Sequence, residues 1–333
     1  VKLSPIQCAF LSRATLDASR PLPVIAKTLG VSVSKLRYAV DTLLDRKIVK
    51  VVPNIDRSIF GLSDYHIFFS ISARNATARS RFLRGISQAD GVVFAAELGG
   101  NFQFEAIIST KSAREASELL DLLATEAGIE LSGKSVASSV SMQIFPKRYL
   151  AAGAIKRTPQ GLRVAGEPPA STHDPDTDIK LDDLDRRLLW ALSCSGEMSV
   201  RQLGAMLDVS HATVQYRIDR MRRSGVLRGF YFDVEPLQYG YHDFVWQLSV
   251  SRGKARLESR LVEMGLREPS ITYVASFFGE WDFELGLEVA EPRLINPLIQ
   301  RLSEVCGPEF RSIRLMMRFG QLALRLFPFS RPQ

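Results

Sequence analysis

At 333 residues the chain is too long for one ordinary domain and suits two to four. With 46% hydrophobic and 24% charged residues it has the composition of globular domains with cores of their own, which excludes a disordered or low-complexity chain. The net charge of +7 and pI near 9.4 favour a polyanionic partner, because each Lys or Arg set against a phosphate releases counterions.

The N-terminus, Val1-Lys2-Leu3-Ser4-Pro5, lacks a signal-peptide core, and the longest apolar stretches are strand-sized, so a cytoplasmic protein is expected. Because it starts at Val rather than Met, the numbering is expected to begin inside a longer gene product or after processing. Three cysteines (Cys8, Cys194, Cys306) form neither a C-x-x-C pair nor a Cys/His cluster of zinc-ligand spacing, as befits reduced thiols. The four histidines (His66, His173, His211, His242) are scattered. No Ser-His-Asp set, metal site or Gly-rich phosphate loop is expected, and so no catalytic residue and no cofactor.

In chain order, Ser4-Pro5 reads as an N-cap followed by a proline at the first helical position. A short helix over 23–29, the turn Gly30-Val-Ser and a third helix capped by Ser32 follow. Strands at 66–72, 92–98, 104–109 and 136–145, with helices at 78–87 and 113–127, then give the order β-α-β-β-α-β. Residues 151–180, rich in Pro, Gly, Ser, Thr and Asp, read as an exposed linker.

The pattern then repeats. Asp182 or Asp183 caps a helix carrying Leu184, Leu188, Leu189 and Leu192 at helical spacing; a helix over 200–207, the turn Asp208-Val-Ser and a helix capped by Ser210 follow. Strands at 244–250, 271–277, 283–289 and 313–326 and helices at 255–263 and 293–305 complete a second β-α-β-β-α-β unit. The copies align directly: Val31 with Val209, Ser32 with Ser210 and Tyr38 with Tyr216, at 209 − 31 = 178. Gly100-Asn-Phe-Gln-Phe-Glu matches Gly279-Glu-Trp-Asp-Phe-Glu at 279 − 100 = 179.

The expected fold class is α+β: two winged helix-turn-helix domains (1–60 and 181–238) alternating with two ferredoxin-like βαββαβ sensor domains (61–150 and 239–333), joined by the linker 151–180. Each sensor sheet has helices on one face; its bare face needs a partner, and the other copy supplies one. On the third helix of the second copy, Val214, Ile218 and Met221 face the bundle. Ala212, Tyr216 and Arg220, flanked by Thr213, Arg217 and Arg223, face outward. Such a face suits the DNA major groove, where Arg reads guanine or holds phosphate and Gln or Thr reaches other bases. Gly225-Val-Leu-Arg-Gly-Phe-Tyr-Phe reads as a turn into a wing.

The stretches Leu181-Asp-Asp-Leu-Asp-Arg-Arg-Leu-Leu, Val209-Ser-His-Ala-Thr-Val-Gln-Tyr-Arg-Ile-Asp-Arg-Met, Ser224-Gly-Val-Leu-Arg-Gly-Phe and Gly279-Glu-Trp-Asp-Phe-Glu-Leu resemble the Lrp/AsnC (feast/famine) regulators. The resemblance implies a DNA-binding transcription factor whose sensor domains dimerise through their sheets and respond to amino acids or related small molecules. Where a family member carries one unit this chain carries two, which implies an internal pseudo-dimer able to oligomerise further.

Carried over, the DNA-contacting positions are Ser210, His211, Thr213, Gln215, Tyr216, Arg217, Arg220 and Arg223, with Lys35, Arg37 and Tyr38 in the first copy. The effector positions are Gly279, Trp281, Asp282 and Gly100. The partners are double-stranded DNA and an amino-acid-like effector, with no membrane.

The first copy departs from the pattern: Ala39, Thr42, Leu44 and Asp45 stand at the positions of Arg217, Arg220, Arg222 and Arg223. It therefore binds DNA weakly or touches only the backbone, so removing Arg217 and Arg220 is expected to cost more affinity than removing Lys35 and Arg37. Gly279-Glu-Trp-Asp also reads simply as a tight turn with Trp281 as packing. Two other functions stay open. Sirohaem decarboxylases resemble the same architecture, but the Arg- and His-rich stretches expected after their helix-turn-helix are lacking in 50–61 and 228–240. An interaction protein with repurposed helix-turn-helix units is the other, against which the stripe Arg217, Arg220 and Arg223 counts.

Overall fold

The computed structural model describes residues 1–73, 75–151, 162–165, 180–251 and 254–330. The first unit runs α1 (Pro5–Arg13), α2 (Leu22–Leu29), α3 (Val33–Asp45), β1 (Val49–Ile55), β2 (Ser63–Ala73), α4 (Ala76–Gln88), β3 (Val92–Gly100), β4 (Phe104–Thr110), α5 (Ala113–Ala127) and β5 (Ile129–Ile144). A short strand β6 (Leu162–Ala165) precedes the second unit. That unit runs α6 (Asp183–Cys194), α7 (Val200–Leu207), α8 (His211–Arg223), β7 (Leu227–Val234), β8 (His242–Val250), α9 (Lys254–Arg267), β9 (Ile271–Gly279), β10 (Phe283–Val289), α10 (Ile295–Cys306) and β11 (Phe310–Leu324).

Local signals fix the helix starts. Ser4 with Gln7, and Asp182 with Asp185, close reciprocal capping boxes at α1 and α6. The Ser32 and Ser210 hydroxyls accept from the Lys35 and Thr213 amides at the starts of α3 and α8. The tight turn between second and third helices needs a left-handed residue, which is Gly30 in one copy (φ 69°) and Asp208 in the other (φ 57°).

Each expected wing is a single strand, and the two strands pair with each other: β1 lies antiparallel to β7, Val49 opposite Val234 and Val52 opposite Tyr231. Phe232 and Val234 therefore enter the core of the first helix-turn-helix with Phe10, Leu11 and Leu36, and Ile55 enters the second with Leu188, Val214 and Met221. The exchange fastens the two DNA-binding candidates to one ribbon.

The sensor strands follow the ferredoxin order β5-β2-β4-β3 and β11-β8-β10-β9. β5 and β11 start earlier than the apolar pattern predicts, because each pairs first with its own sheet and then with the other: β5 with β2 and β9, β11 with β8 and β3. The two sheets thus close into one eight-stranded antiparallel ring, leaving no free edge between the units. The outer faces carry the helices over two aliphatic and aromatic cores, around Phe69, Phe82 and Phe104 and around Trp246, Phe283 and Leu285. The inner faces meet around Phe68, Leu98, Val245, Phe277, Trp281 and Met316. β6 hydrogen-bonds β5, so the expected linker contributes a strand; its remaining residues, 152–161 and 166–179, lie outside the described residues.

Candidate nucleic-acid interface and central cavity

On α8, Val214, Ile218 and Met221 are buried as the helical period requires, and His211, Ala212, Gln215, Tyr216, Arg222 and Arg223 are exposed. Ser210 and Thr213 sit at the helix start, their hydroxyls 2.9 Å apart. On α3 the matching exposed face carries Ser34, Lys35, Arg37 and Tyr38. The paired tyrosines stand free of the bundle, Tyr216 at 58% and Tyr38 at 77% exposure. Large rings left in water on two equivalent helices are unusual for packing and usual for contact surfaces.

The basic stripe is arranged otherwise than the pattern suggested. Arg217 bonds the Asp182 carboxylate and lies 3.2 Å from Asp185, and Arg220 bonds Asp185, which is fully buried. Both arginines thus lean back over the start of α6, leaving Arg222 and Arg223 as the exposed arginines of α8. Burial raises the Asp185 carboxyl; Asp182, although burial acts the same way, is lowered by its hydrogen bond from Arg217. The first copy has Ala39 and Gln7 at this place, with the Gln7 amide donating to the Ala39 carbonyl, so Lys35 and Arg37 are under no such restraint.

The hairpin residues implied as an effector site have structural work. An added Cβ on Gly279 would come within 2.6 Å of Ala137 Cα, and one on Gly100 within 2.9 Å of the Leu315 carbonyl. These glycines let β9 meet β5 and β3 meet β11 where the sheets join, at positive φ. Trp281 is buried against Phe68 and Phe277. The Asp282 carboxylate accepts from the Val250 amide at 2.9 Å and lies 3.4 Å from Lys254. None of the four lines the central cavity.

That cavity, of about 200 Å³, lies between the sheets and the β1–β7 ribbon. Its wall carries seven carboxyl side chains (Asp64, Glu105, Asp233, Glu235, Asp243, Glu284, Glu288) and three basic ones (Arg57, Lys147, Arg318). Arg57 grips Asp64 through two nitrogens, and Lys147 and the Tyr149 hydroxyl both bond Glu288. Arg318 makes a two-pronged contact to Glu105 at 2.9 and 3.0 Å and donates to the Tyr273 hydroxyl, which donates in turn to Glu284 at 2.6 Å. Its guanidinium also lies over the rings of Phe94 and Tyr273.

Burial pushes Glu284 up to about 8 and Asp243 up to about 7, while it drives His66 down to about 3, so the imidazole is neutral. Asp64 is lowered: burial opposes, but Arg57 and the Ser109 hydroxyl outweigh it. His66 Nδ1 and Glu284 Oε2 are buried without a hydrogen-bond partner among the described residues. His66, Glu105 and Glu284 bring donor atoms within 4.8 Å of one another. Both Glu105 oxygens are already held by Arg318, however, whose charge stands where a metal's would.

Sequence reading missed this site because its members are single charged residues inside apolar strands. One signal could have found it: Phe104-Glu105 and Phe283-Glu284 repeat at 284 − 105 = 179, a carboxylate kept at an inward strand position in both copies.

The AsnC-type helix-turn-helix domain family matches residues 181–222. An uncharacterized HTH-type transcriptional regulator of Pyrococcus furiosus is 34% identical over 130 residues, covering 38% of this chain and 85% of that protein. HTH-type transcriptional regulator FL11 of the same organism is 27% identical over 131 residues, 39% of this chain and 84% of its own length. About two-fifths of this chain thus spans most of a relative, as a doubled unit requires. Among solved structures, the siroheme decarboxylase NirDL superposes over 98% of this chain and 94% of its own, with a TM-score of 0.57 and 14% identity. At that identity the likeness is one of fold: a whole chain of two fused units.

Proposed function

Because the chain belongs to the Lrp/AsnC family of helix-turn-helix regulators, we propose that it is a sequence-specific DNA-binding transcription regulator modulated by a small metabolite. The observation that carries this reading is the pair of equivalent third helices, each held outward by its bundle with a polar face and a bare tyrosine. Gln215, Tyr216 and His211 suit base edges; Arg222 and Arg223, with Lys35 and Arg37 on α3, suit phosphates. The exchanged β1–β7 ribbon fixes the spacing of the two helices, so one polypeptide engages two half-sites as a dimer would. The metabolite site of this reading is the central cavity, bordered by the ribbon residues Tyr231, Phe232 and Asp233 and by the sensor strands. A ligand there touches both the sensor barrel and the element that spaces the helices. Selection of sheared genomic DNA on the purified chain tests the reading. Enrichment of discrete sites, with affinity falling as salt rises, supports it; indiscriminate recovery of fragments, or none, overturns it.

A second reading, a siroheme decarboxylase, is favoured by the full-length fold match to NirDL. The cavity opposes it. Its volume falls below the ~300–1,000 Å³ typical of sites for drug-sized ligands, which a tetrapyrrole exceeds. Its wall of carboxylates would also repel a polycarboxylate macrocycle. Addition of sirohaem is expected to leave the pigment's visible spectrum unchanged; a shifted band and release of carbon dioxide would favour the enzyme. Among the described residues no helix is long and apolar enough to cross a membrane.

A further inference from the structure

We propose that the central cavity selects an effector of net positive charge, a small molecule with an ammonium or guanidinium group not balanced by a carboxylate of its own, and seats a nitrogen against Glu284, His66 and Asp243. The proposal rests on the regulator reading only in naming the occupant an effector; the charge selectivity stands on the cavity itself.

The charge balance comes first. Each basic group of the wall is committed, Arg57 to Asp64, Lys147 to Glu288 and Arg318 to Glu105. Arg318 reaches Asp243 only at 3.5 Å and Glu284 at 4.0 Å. Among the described residues seven carboxyl groups thus face three cations, and Asp243 and Glu284 share with Glu105 the one charge of Arg318. An anion entering this space finds its bases already paired and further disfavours ionisation of the remaining carboxyl groups, whereas a cation favours it.

The unfilled valences come second. Among the described residues Glu284 Oε2 and His66 Nδ1 have no hydrogen-bond partner, on residues only 1% and 3% exposed. A buried polar atom without a partner is costly to keep. An ammonium group carries three donors and no acceptor, which is the complement of an orphan carboxylate oxygen and a neutral imidazole. Beside these groups Phe94, Ile107, Met142, Ile144, Phe145 and Leu324 form an apolar wall for a methylene stem.

The groups facing Glu284 are Tyr273 on β9, Arg318 on β11, Glu105 on β4, His66 on β2 and Asp243 on β8. Burial by itself keeps Glu284 and, partly, Asp243 protonated at neutral pH. A bound cation favours their ionised forms, so binding releases protons and tightens as pH rises.

Isothermal titration of the purified full chain tests this, using 1,4-diaminobutane, L-ornithine, L-lysine and L-arginine. L-norleucine, a zwitterion with no net charge, glutarate and zinc ions alone serve as comparisons. At least one amine is expected to bind about tenfold more tightly at pH 8.5 than at pH 6.5, with heat that varies with buffer as a proton is released. Glu284→Gln, which keeps the shape, should weaken it by tenfold or more, and Asp243→Asn should weaken it with the fold intact by circular dichroism. Norleucine or glutarate binding as well as the amines, zinc binding alone, or no amine binding overturns the proposal. Retardation of selected DNA, run in parallel, separates the two claims. DNA binding without amine uptake removes the cation site and leaves the regulator; amine uptake without DNA binding does the reverse.

Discussion

Arg318 holds the two halves of the barrel together at one point. It lies on β11 of the second unit, makes its two-pronged bond to Glu105 of the first, and stacks on Phe94 and Tyr273. Arg318→Met leaves the Glu105 carboxylate buried and unpaired and should lower unfolding free energy by about 3–5 kcal/mol. Adding Glu105→Gln should restore most of it, read by denaturant unfolding of single and double variants. A smaller residue effect lies in the turn before α8, where Asp208 occupies the left-handed conformation that Gly30 takes without strain in the other copy. Asp208→Gly should stabilise by up to about 1 kcal/mol, seen as a raised melting temperature. The turn was legible in the sequence because the two copies show alternative solutions to one backbone demand. The Arg318 network was not, since a lone arginine in a strand gives no sign of which face it takes or what it meets.

At the scale of the element, the start, period and buried face of α8 were legible, because capping serines and the spacing of Val214, Ile218 and Met221 are local signals. The direction of its arginines was not. Their partners, Asp182 and Asp185, lie 32 to 35 residues away, and capping roles gave no hint that the same carboxylates would also hold cations. Replacing Arg217 and Arg220 together by Ala strips the buried Asp185 of its counter-charges. It should destabilise by about 2 kcal/mol, less than for a fully buried pair because Arg220 is partly exposed. Loss of DNA affinity in that variant therefore has to be read beside its melting curve. Lys35→Ala with Arg37→Ala should leave stability within about 0.5 kcal/mol of the parent, so its effect on affinity is a direct contact effect. Gln215→Ala with Tyr216→Ala should erase about 1–3 kcal/mol of preference for the selected site. Arg222→Ala with Arg223→Ala should instead weaken all sequences alike and shallow the salt dependence by about one unit of slope per phosphate contact.

For the whole molecule, the doubling, the alternation of helix-turn-helix and βαββαβ units, and the meeting of the sheets' bare faces were all contained in one repeat. Closure of the ring was not, because it depends on β5 and β11 running on past their own sheets to pair with β9 and β3 over 137–144 and 316–324, and a strand's apolar period does not tell which neighbours it pairs with. The polar content of that closed barrel predicts how stability follows pH. His66, lowered to about 3, takes up a proton more readily when unfolded, so its contribution is lost as pH falls below about 6.5. Glu284 and Asp243, raised to about 8 and 7, hold protons in the folded state that the unfolded chain has released. Their contribution is full below about pH 4 and is lost as pH rises through 7 and 8. Of these three groups only the two carboxyls act above pH 6.5, so the melting temperature should fall between pH 6.5 and 8.5. Glu284→Gln should flatten that fall, and an unchanged slope would show that Glu284 ionises as freely folded as unfolded.

The most direct test of the account is methylation protection of guanine N7 on a duplex recovered by genomic selection, since N7 lies only in the major groove. Protected guanines are expected with the parent chain, and their loss with Gln215→Ala plus Tyr216→Ala at protein concentrations that still retard the duplex. Retardation with no guanine protected, or protection unaffected by that double variant, would contradict a role for α8 in reading DNA.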